Sequence, residues 1–232
     1  MTAPLAVVSG SSSGIGHAVA VRLLSDGWRL IGLSRTRGSL PDSATWLPCD
    51  LSDENSVQEA IDRLHESAPN GVAALVHAAG LQYSGELGSL DRAGGDGMWM
   101  VHVRAAEVLA NGLVDDLQDE GRIILIGSRT MTGVGGKSQY AGTKAALAAL
   151  ARSWAAELVQ RRITVNVVAP GPTRTAMLED PERASVPPRV PALGRFIEPS
   201  EVADLVVFLV GRGGAMITGQ TLVMCGGASL PT

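Results

Sequence analysis

Residues 9–16 read Ser9-Gly10-Ser11-Ser12-Ser13-Gly14-Ile15-Gly16, and they stand between an apolar run and the apolar periodicity of a helix. At such a turn Gly10 permits a tight bend, Gly14 lets a pyrophosphate approach the backbone, and Gly16 lets the helix pack close to the strand. The unpaired N–H groups at the helix start then face the phosphates. The predicted cofactor contacts in this loop are Gly10, Ser11, Ser13, Gly14, Ile15 and Gly16.

A glycine-rich turn alone is a weak signal, but the rest of the chain supplies its context. Short apolar runs predict strands at residues 5–8, 28–33, 45–47, 72–77, 122–126, 163–168 and 221–224. Helical periodicity predicts helices up to Gly27 and at about 53–67, 98–117, 138–159 and 200–210, with Asp53 and Ser200 as N-caps. We therefore expect an α/β fold over residues 1–232, a Rossmann-type doubly wound parallel sheet of about seven strands with helices on both faces.

The amino-acid composition limits the classes of function that the chain can have. A chain of 232 residues with 45% hydrophobic residues can form one core, and a net charge of -4 without a basic tract argues against a nucleic-acid partner. No apolar run approaches the ~20 residues of a membrane span, and the N-terminus lacks a signal-peptide pattern, so we expect a cytoplasmic protein with no membrane partner. Cys49 and Cys225 match no metal-ligand spacing, which predicts reduced thiols and no metal site.

The end of the second predicted strand indicates the cofactor. It reads Ser34-Arg35-Thr36-Arg37, where an NAD site would carry an acid for the ribose hydroxyls. Arg35 and Arg37 are suited to a 2′-phosphate, which favours NADP(H). NAD(H) remains an alternative, as does the interpretation of two solvated surface arginines.

Three residues indicate the chemistry. Tyr140 and Lys144 are four apart at the start of a predicted helix and share one face, and Ser128 ends the strand at 122–126. Carboxyl ends of parallel strands open onto the ligand crevice, so Ser128 should lie near Tyr140. A nearby cationic Lys lowers the pKa of a Tyr, whose reference value is about 10. Tyr140 can then exchange a proton with a carbonyl or alcohol oxygen while Ser128 hydrogen-bonds it.

With these motifs in order, the chain resembles the short-chain dehydrogenase/reductase family over nearly its whole length, and especially its bacterial 3-oxoacyl reductase-like members. The resemblance rests on Ser9–Gly16 for TGxxxGIG, Tyr140–Lys144 for YxxxK, Asn166–Thr175, Thr218-Gly219-Gln220 and Gly226-Gly227. It implies hydride transfer between a nicotinamide and a ketone or alcohol, and a homo-oligomer, either tetramer or dimer. It also implies further cofactor contacts at Ser34, Asp50, Leu51, Ala78, Ala79, Gly80, Tyr140, Lys144, Pro170, Gly171, Thr173 and Thr175.

The chain departs from the family at three positions. His77 replaces the first Asn of NNAG, and we interpret it as a structural substitution. His102 replaces the Asn of the proton relay, where it can support a helix distortion, titrate and add pH dependence, or be a hydrogen-bonded core histidine. Cys225 replaces an acid before the last glycine pair, and we assign it no function.

Of all parts of the site, the substrate-binding region is the one about which the sequence says least. The resemblance places Gln82, Tyr83, Arg129 and Gln139 near the substrate, together with a proline-rich loop at about 173–199. That loop carries Pro181, Pro187, Pro188, Pro191 and Pro199, with Arg174, Arg183, Arg189 and Arg195. The arginines permit an anionic substrate such as an oxo acid or an acyl-carrier thioester, whereas Leu81, Val134, Met177 and Leu178 suit an uncharged ketone equally well.

Two function classes remain. The first is an NADP(H)-dependent ketone reductase or alcohol dehydrogenase, with an NAD-dependent enzyme as its variant. The second is a nicotinamide-binding sensor or structural partner without chemistry. The presence of Ser128, Tyr140 and Lys144 together favours the enzyme.

Overall fold

The computed structural model describes residues 3–179 and 188–230 and consists of a seven-stranded parallel sheet covered by helices on both faces. The strand order is β3-β2-β1-β4-β5-β6-β7. The strands are β1 (Leu5–Ser9), β2 (Arg29–Ser34), β3 (Thr45–Pro48), β4 (Val72–His77), β5 (Leu117–Ile126), β6 (Thr164–Pro170) and β7 (Thr221–Met224). The helices are α1 (Gly14–Ser25), α2 (Glu54–Ser67), α3 (Arg92–Trp99), α4 (Ala105–Leu113), α5 (Ser138–Leu158), α6 (Ala176–Glu179) and α7 (Pro199–Val210).

Side-chain alternation along the strands divides the core into two layers. In β1, Val7 belongs to the cluster that packs against α2, α4 and α5, whereas Ala6 and Val8 belong to the cluster with α1 and α7. All three side chains are fully buried, as expected where helices cover both faces of a parallel sheet. The predicted fold class is therefore confirmed.

Several element ends differ from the expectations. The predicted helix at 98–117 is two helices, α3 and α4, joined by a π-helical turn over Met100–Arg104. Asp53 is confirmed as the N-cap of α2, because its carboxylate accepts a hydrogen bond from the N–H of Asn55 at 3.0 Å. The expectation for Ser200 is wrong: Glu198 caps α7, Pro199 takes the first helical position, and Glu201 completes a capping box.

The loops that follow β1, β4, β5 and β6 emerge at the carboxyl edge of the sheet. The proline-rich segment is also anchored there, since the N–H of Arg174 donates to the carbonyl of Ile197 at 2.8 Å and Arg174 forms an ion pair with Glu198. Its first and last described residues thus lie side by side. Pro181, Arg183 and Pro187 lie outside the described residues.

Candidate active site

A long cleft of about 1230 Å³ runs along the carboxyl edge of the sheet. The loops after β1, β4, β5 and β6 line it, together with residues on both sides of the gap at 180–187. Such a crevice is where open α/β sheets bind their ligands. Most of the residues singled out from the sequence meet here.

The glycine loop forms one wall of the cleft. Gly10 has a φ of +70°, and a Cβ there would stand 2.7 Å from the backbone of Ala79, so the close approach of β1 and β4 requires glycine. A Cβ on Gly16 would overlap the carbonyl oxygen of Gly10, which is the predicted close packing of helix on strand. Gly10, Ser13, Gly14 and Ile15 line the cleft, whereas Ser11 and Gly16 lie behind it.

The start of α1 suits a phosphate. Its N-cap, Ser13, makes no side-chain hydrogen bond to the helix, and no acid lies in the first turn. The first N–H groups therefore remain available to an anionic group in the cleft. Ser11 instead supports the loop from behind, with its Oγ 3.3 Å from that of Ser34. The residues present thus fit a dinucleotide.

The adenosine end of the cleft carries Ser34, Arg35, Asp50 and Leu51. Hydrogen bonds from the N–H and hydroxyl of Ser52 lower the pKa of Asp50, with a smaller contribution from the charge of Arg35. The structure does not bring Arg37 to the cleft: its guanidinium forms an ion pair with Asp42 at 2.7 Å. Of the two predicted arginines, only Arg35 lines the cleft.

Ser128, Tyr140 and Lys144 share the middle of the cleft. Ser128 follows β5, and its Oγ accepts a hydrogen bond from the N–H of Thr130 at 3.2 Å, which leaves its hydroxyl hydrogen available. Tyr140 lies in the first turn of α5, and the Nζ of Lys144 is 5.8 Å from the centre of its ring. The Nζ of Lys144 also donates to the carbonyl of Ile126 at 2.9 Å.

Lys144 is 3% exposed, and burial lowers its pKa to about 7. The side chain therefore exists in both protonation states near neutral pH. A cation that is easily discharged, next to a tyrosine and a serine in one cleft, is an arrangement that can move a proton to or from a bound oxygen.

His102 is fully buried in the π-helical turn and does not line the cleft. The N–H of Leu81 donates to its Nε2 at 3.0 Å, so the ring proton lies on Nδ1, which donates to the Oγ1 of Thr143 at 2.8 Å. Burial, followed by the charge of Lys144, holds the pKa of His102 well below 6.5. The hydrogen-bonded core interpretation fits these contacts, and the titrating one does not.

His77 has a structural position as well. Its Nε2 donates to the carbonyl of Val101 at 3.0 Å, and its Nδ1 accepts from the hydroxyl of Ser9 at 2.9 Å. It therefore links β1 and β4 to the π-helical turn. Burial is the main cause that lowers its pKa to about 4.

The remaining cofactor candidates after β4 and β6 line the cleft: Ala78, Ala79, Gly80, Pro170, Gly171, Thr173 and Thr175. Of the substrate candidates, Gln82 and Arg129 do so, as do the apolar Leu81, Val134, Met177 and Leu178. Tyr83 is outside the cleft, and Gln139 turns away to donate to the carbonyl of Asp91 at 2.8 Å.

Lys137 is a charged residue of the site that was missed from the sequence. Lys137 is only 8% exposed and lines the cleft. It is one of two lysines in the chain and stands three residues before Tyr140, which is a spacing that places both on one side of a helix start. That spacing was the available signal.

Within residues 3–179 and 188–230, no group of His, Cys, Asp and Glu side chains could hold a metal ion, and no helix is long and apolar enough to cross a membrane. Cys49 and Cys225 are free thiols. The doubly wound sheet, its glycine loop and the Ser–Tyr–Lys set at one edge define a dinucleotide-dependent oxidoreductase.

Comparisons with known proteins give the family. A family model described as enoyl-(acyl carrier protein) reductase matches residues 10–229. Carbonyl reductase family member 4 of Danio rerio is 36% identical over 97% of this chain and 98% of its own length. The 3-oxoacyl-[acyl-carrier-protein] reductase FabG of Escherichia coli K12 is 33% identical over 96% of both chains.

Among solved structures, a short chain dehydrogenase from Burkholderia cenocepacia in complex with NADP superimposes with a TM-score of 0.87, at 33% identity and with 97% of each chain covered. The chain therefore belongs to the short-chain dehydrogenase/reductase family and is an oxidoreductase that uses a nicotinamide cofactor.

Proposed function

We propose that the protein interconverts a ketone or aldehyde and the corresponding alcohol with NADP(H), and that Tyr140 is its general acid and base. The observation that carries this proposal is the meeting of Ser128, Tyr140 and Lys144 on the wall of one cleft whose other end is built for a dinucleotide. The non-catalytic alternative gives no reason for a buried lysine beside a tyrosine at this place.

The chain's own residues have distinct roles in the reaction. Ser128 donates a hydrogen bond to the reacting oxygen, because its Oγ already accepts one from Thr130. Tyr140 gives its phenolic proton to that oxygen during reduction and takes it back during oxidation. The charge of Lys144 favours the phenolate that remains. When bound, the nicotinamide supplies or accepts the hydride.

NADP(H) is favoured over NAD(H) by the adenosine end. Arg35 lines the cleft there, and the end of β2 presents no carboxylate to the ribose hydroxyls. A guanidinium binds a phosphate with charge-assisted hydrogen bonds that a ribose hydroxyl cannot match. The complexes of two structural relatives, one with NADP and one with NADPH, support the same choice.

We also propose that copies of the chain form a homo-oligomer, a dimer or a tetramer. The sheet ends at β7, which pairs only with β6 among the described residues, and its Val223 is 53% exposed. Phe208 and Met216 are further exposed apolar side chains in the C-terminal part. An unpaired edge with apolar side chains is a surface that a second copy can cover. Light scattering over a concentration series tests this proposal, and a monomer throughout contradicts it.

The test of the reaction follows reduced-nicotinamide absorbance with NADPH and with NADH over ketones, oxo acids, 3-oxoacyl thioesters and keto sugars. We expect turnover that prefers NADPH and that falls at least about 1000-fold in Tyr140→Phe, since both proton transfer and orientation of the oxygen are lost. NADPH binding measured by fluorescence shows whether the variant is folded. Equal turnover by the variant, or no turnover with any substrate despite bound NADPH, contradicts the proposal.

A further inference from the structure

Two cations flank the catalytic residues at the substrate end of the cleft. Arg129 directly follows Ser128 and opens a 3₁₀ turn, and Lys137 directly precedes α5 and stands three residues before Tyr140. Both line the cleft. The two residues assigned to the reacting oxygen thus each have a positively charged neighbour in the chain.

The backbone fixes the place of Lys137. Its carbonyl accepts the first hydrogen bond of α5, from the N–H of Ala141 at 2.8 Å, and its N–H donates to the carbonyl of Val134 at 3.1 Å. The preceding residue, Gly136, accepts from the N–H of Gly85 at 2.9 Å. Lys137 is buried at the cleft wall, where an amino group is costly to place and interacts more strongly with an opposite charge than it would in water.

The guanidinium of Arg129 adds a preference for a carboxylate over a neutral group. Its side chain is half-buried, and within residues 3–179 and 188–230 its guanidinium forms no hydrogen bond and no ion pair. A guanidinium can bind a carboxylate through two parallel hydrogen bonds, which a neutral carbonyl or hydroxyl cannot accept in the same way. The cleft therefore offers a fork-shaped donor next to the point of reaction.

Among the described residues that line this end of the cleft, the charged side chains are cations. Asp50 is the only acid among the described residues that line it, and that carboxylate belongs to the adenosine end, where Ser52 is its partner. A third cation, Arg189, lines the cleft on the far side of the gap in the described chain. The apolar Leu81, Val134 and Leu178 complete the walls.

We propose that the substrate is a ketone that carries a carboxylate, an oxo acid with a short aliphatic part, and that Lys137 and Arg129 bind the carboxylate. This inference rests on the proposed function. The hydride from NADPH forms the new C–H bond, the carbonyl π bond breaks, and its oxygen takes the proton of Tyr140 to give the hydroxy acid. The carboxylate is unchanged throughout and serves only to hold the substrate.

The test compares acids with their neutral esters. The pairs are 3-oxobutanoate with methyl 3-oxobutanoate and 4-oxopentanoate with methyl 4-oxopentanoate, each at saturating NADPH. We expect kcat/KM of the wild-type protein to be about 10- to 100-fold higher for at least one acid than for its ester, because charged hydrogen bonds are made only with the acid. Equal values, or a preference for both esters, overturn the inference.

Four variants, one of them a control, test whether the preference comes from these residues. In Lys137→Met and in Arg129→Gln the ratio of acid to ester kcat/KM should fall by about 10-fold, mainly through KM for the acid. Lys137→Arg should restore much of the ratio, and Arg212→Gln, which removes an exposed cation outside the cleft, should leave it unchanged. An unchanged ratio in both Lys137→Met and Arg129→Gln also overturns the inference.

The same experiment separates the two proposals. Tyr140-dependent turnover of the esters without an acid preference leaves the proposed function standing and removes this inference. Absence of Tyr140-dependent turnover with all four ketones, in protein that binds NADPH, removes this inference. The proposed function falls with it only if the other ketones, the 3-oxoacyl thioesters and the keto sugars also give no turnover.

Discussion

His102 donates a hydrogen bond from Nδ1 to the hydroxyl oxygen of Thr143, 2.8 Å away, and Thr143 donates in turn to the carbonyl oxygen of Tyr140 at 2.8 Å. The other ring nitrogen accepts from the N–H of Leu81. One neutral imidazole therefore joins the loop after β4, the π-helical turn and the first turn of α5. These hydrogen bonds tie the backbone of Tyr140 to both of the other elements.

Substitution of His102 tests whether that connection is structural. We expect His102→Asn to keep kcat within about 10-fold, since an amide oxygen can still accept from Leu81. We expect His102→Ala to lower the free energy of unfolding by about 2–4 kcal/mol, because it leaves a cavity and an unsatisfied N–H. Urea denaturation and kcat measure the two effects. Loss of all activity in a folded His102→Asn protein would instead mean that the imidazole takes part directly.

The buried histidines predict acid sensitivity. His77 has a folded-state pKa of about 4 against 6.5 in the unfolded chain, so the unfolded chain binds more protons between these values. The free energy of unfolding therefore falls as the pH drops below about 6.5, and the contribution of His77 is roughly 2 kcal/mol between pH 7 and pH 5. Urea denaturation at both pH values measures it.

The matched variants for this measurement are His77→Asn and His65→Gln. The first removes the buried titrating group, so the loss of stability between pH 7 and pH 5 should shrink. The second changes a histidine that is 46% exposed and lies 2.6 Å from a carboxylate oxygen of Asp116, and it measures how much a surface histidine contributes. An identical pH dependence in the wild type and His77→Asn would refute the argument.

The lowered pKa of Lys144 leads to a prediction for the pH profile of reduction. Its pKa is lowered to about 7, so it carries its charge below that pH and loses it above. In the proposed reaction the charge of Lys144 favours proton transfer from Tyr140, so we expect kcat/KM for the ketone at saturating NADPH to fall as pH rises through about 7. Initial rates from pH 5.5 to 9 measure this, and a rate that stays level up to pH 9 would contradict it.

Arg35 predicts cofactor selectivity. We expect Arg35→Ala to raise the Kd of NADPH about 10- to 100-fold and that of NADH less than about 3-fold, because only NADPH has the 2′-phosphate. Arg37→Ala is the matched control, since Arg37 pairs with Asp42 outside the cleft, and its effect should be much smaller. Fluorescence titration gives both constants. Equal weakening of the two cofactors by Arg35→Ala would remove the phosphate assignment.

The sequence predicted those parts of the site that are encoded locally. The glycine loop needs its residues at set positions, and Tyr140 and Lys144 share a face through helix geometry alone. The π-helical turn at Met100–Arg104 was not predicted, because apolar periodicity does not reveal a single widened turn, and His77 meets it only through the fold.

The sequence also did not predict in which direction some side chains of the site point. Nothing in the sequence distinguishes Arg35 from Arg37, yet Arg37 forms an ion pair with Asp42 outside the cleft. Gln139 precedes Tyr140 directly and points elsewhere, whereas Lys137, three residues before Tyr140, lines the cleft. The partner of Gln139 is 48 residues away in the sequence, whereas that of Arg37 is only five residues away and is brought to it by the turn of the backbone. Residue spacing alone reveals neither contact.

The paired ends of the proline-rich segment have an evolutionary consequence. Because Arg174 is bonded to Ile197 and Glu198, the chain leaves β6 and enters α7 at nearly the same place, and the residues between these contacts form a closed loop. Doubling the length of such a closed loop costs only about 0.6 kcal/mol of chain entropy. A longer or shorter loop can thus arise in evolution without moving β6 or α7, and protein engineers can graft new sequence between the same two points.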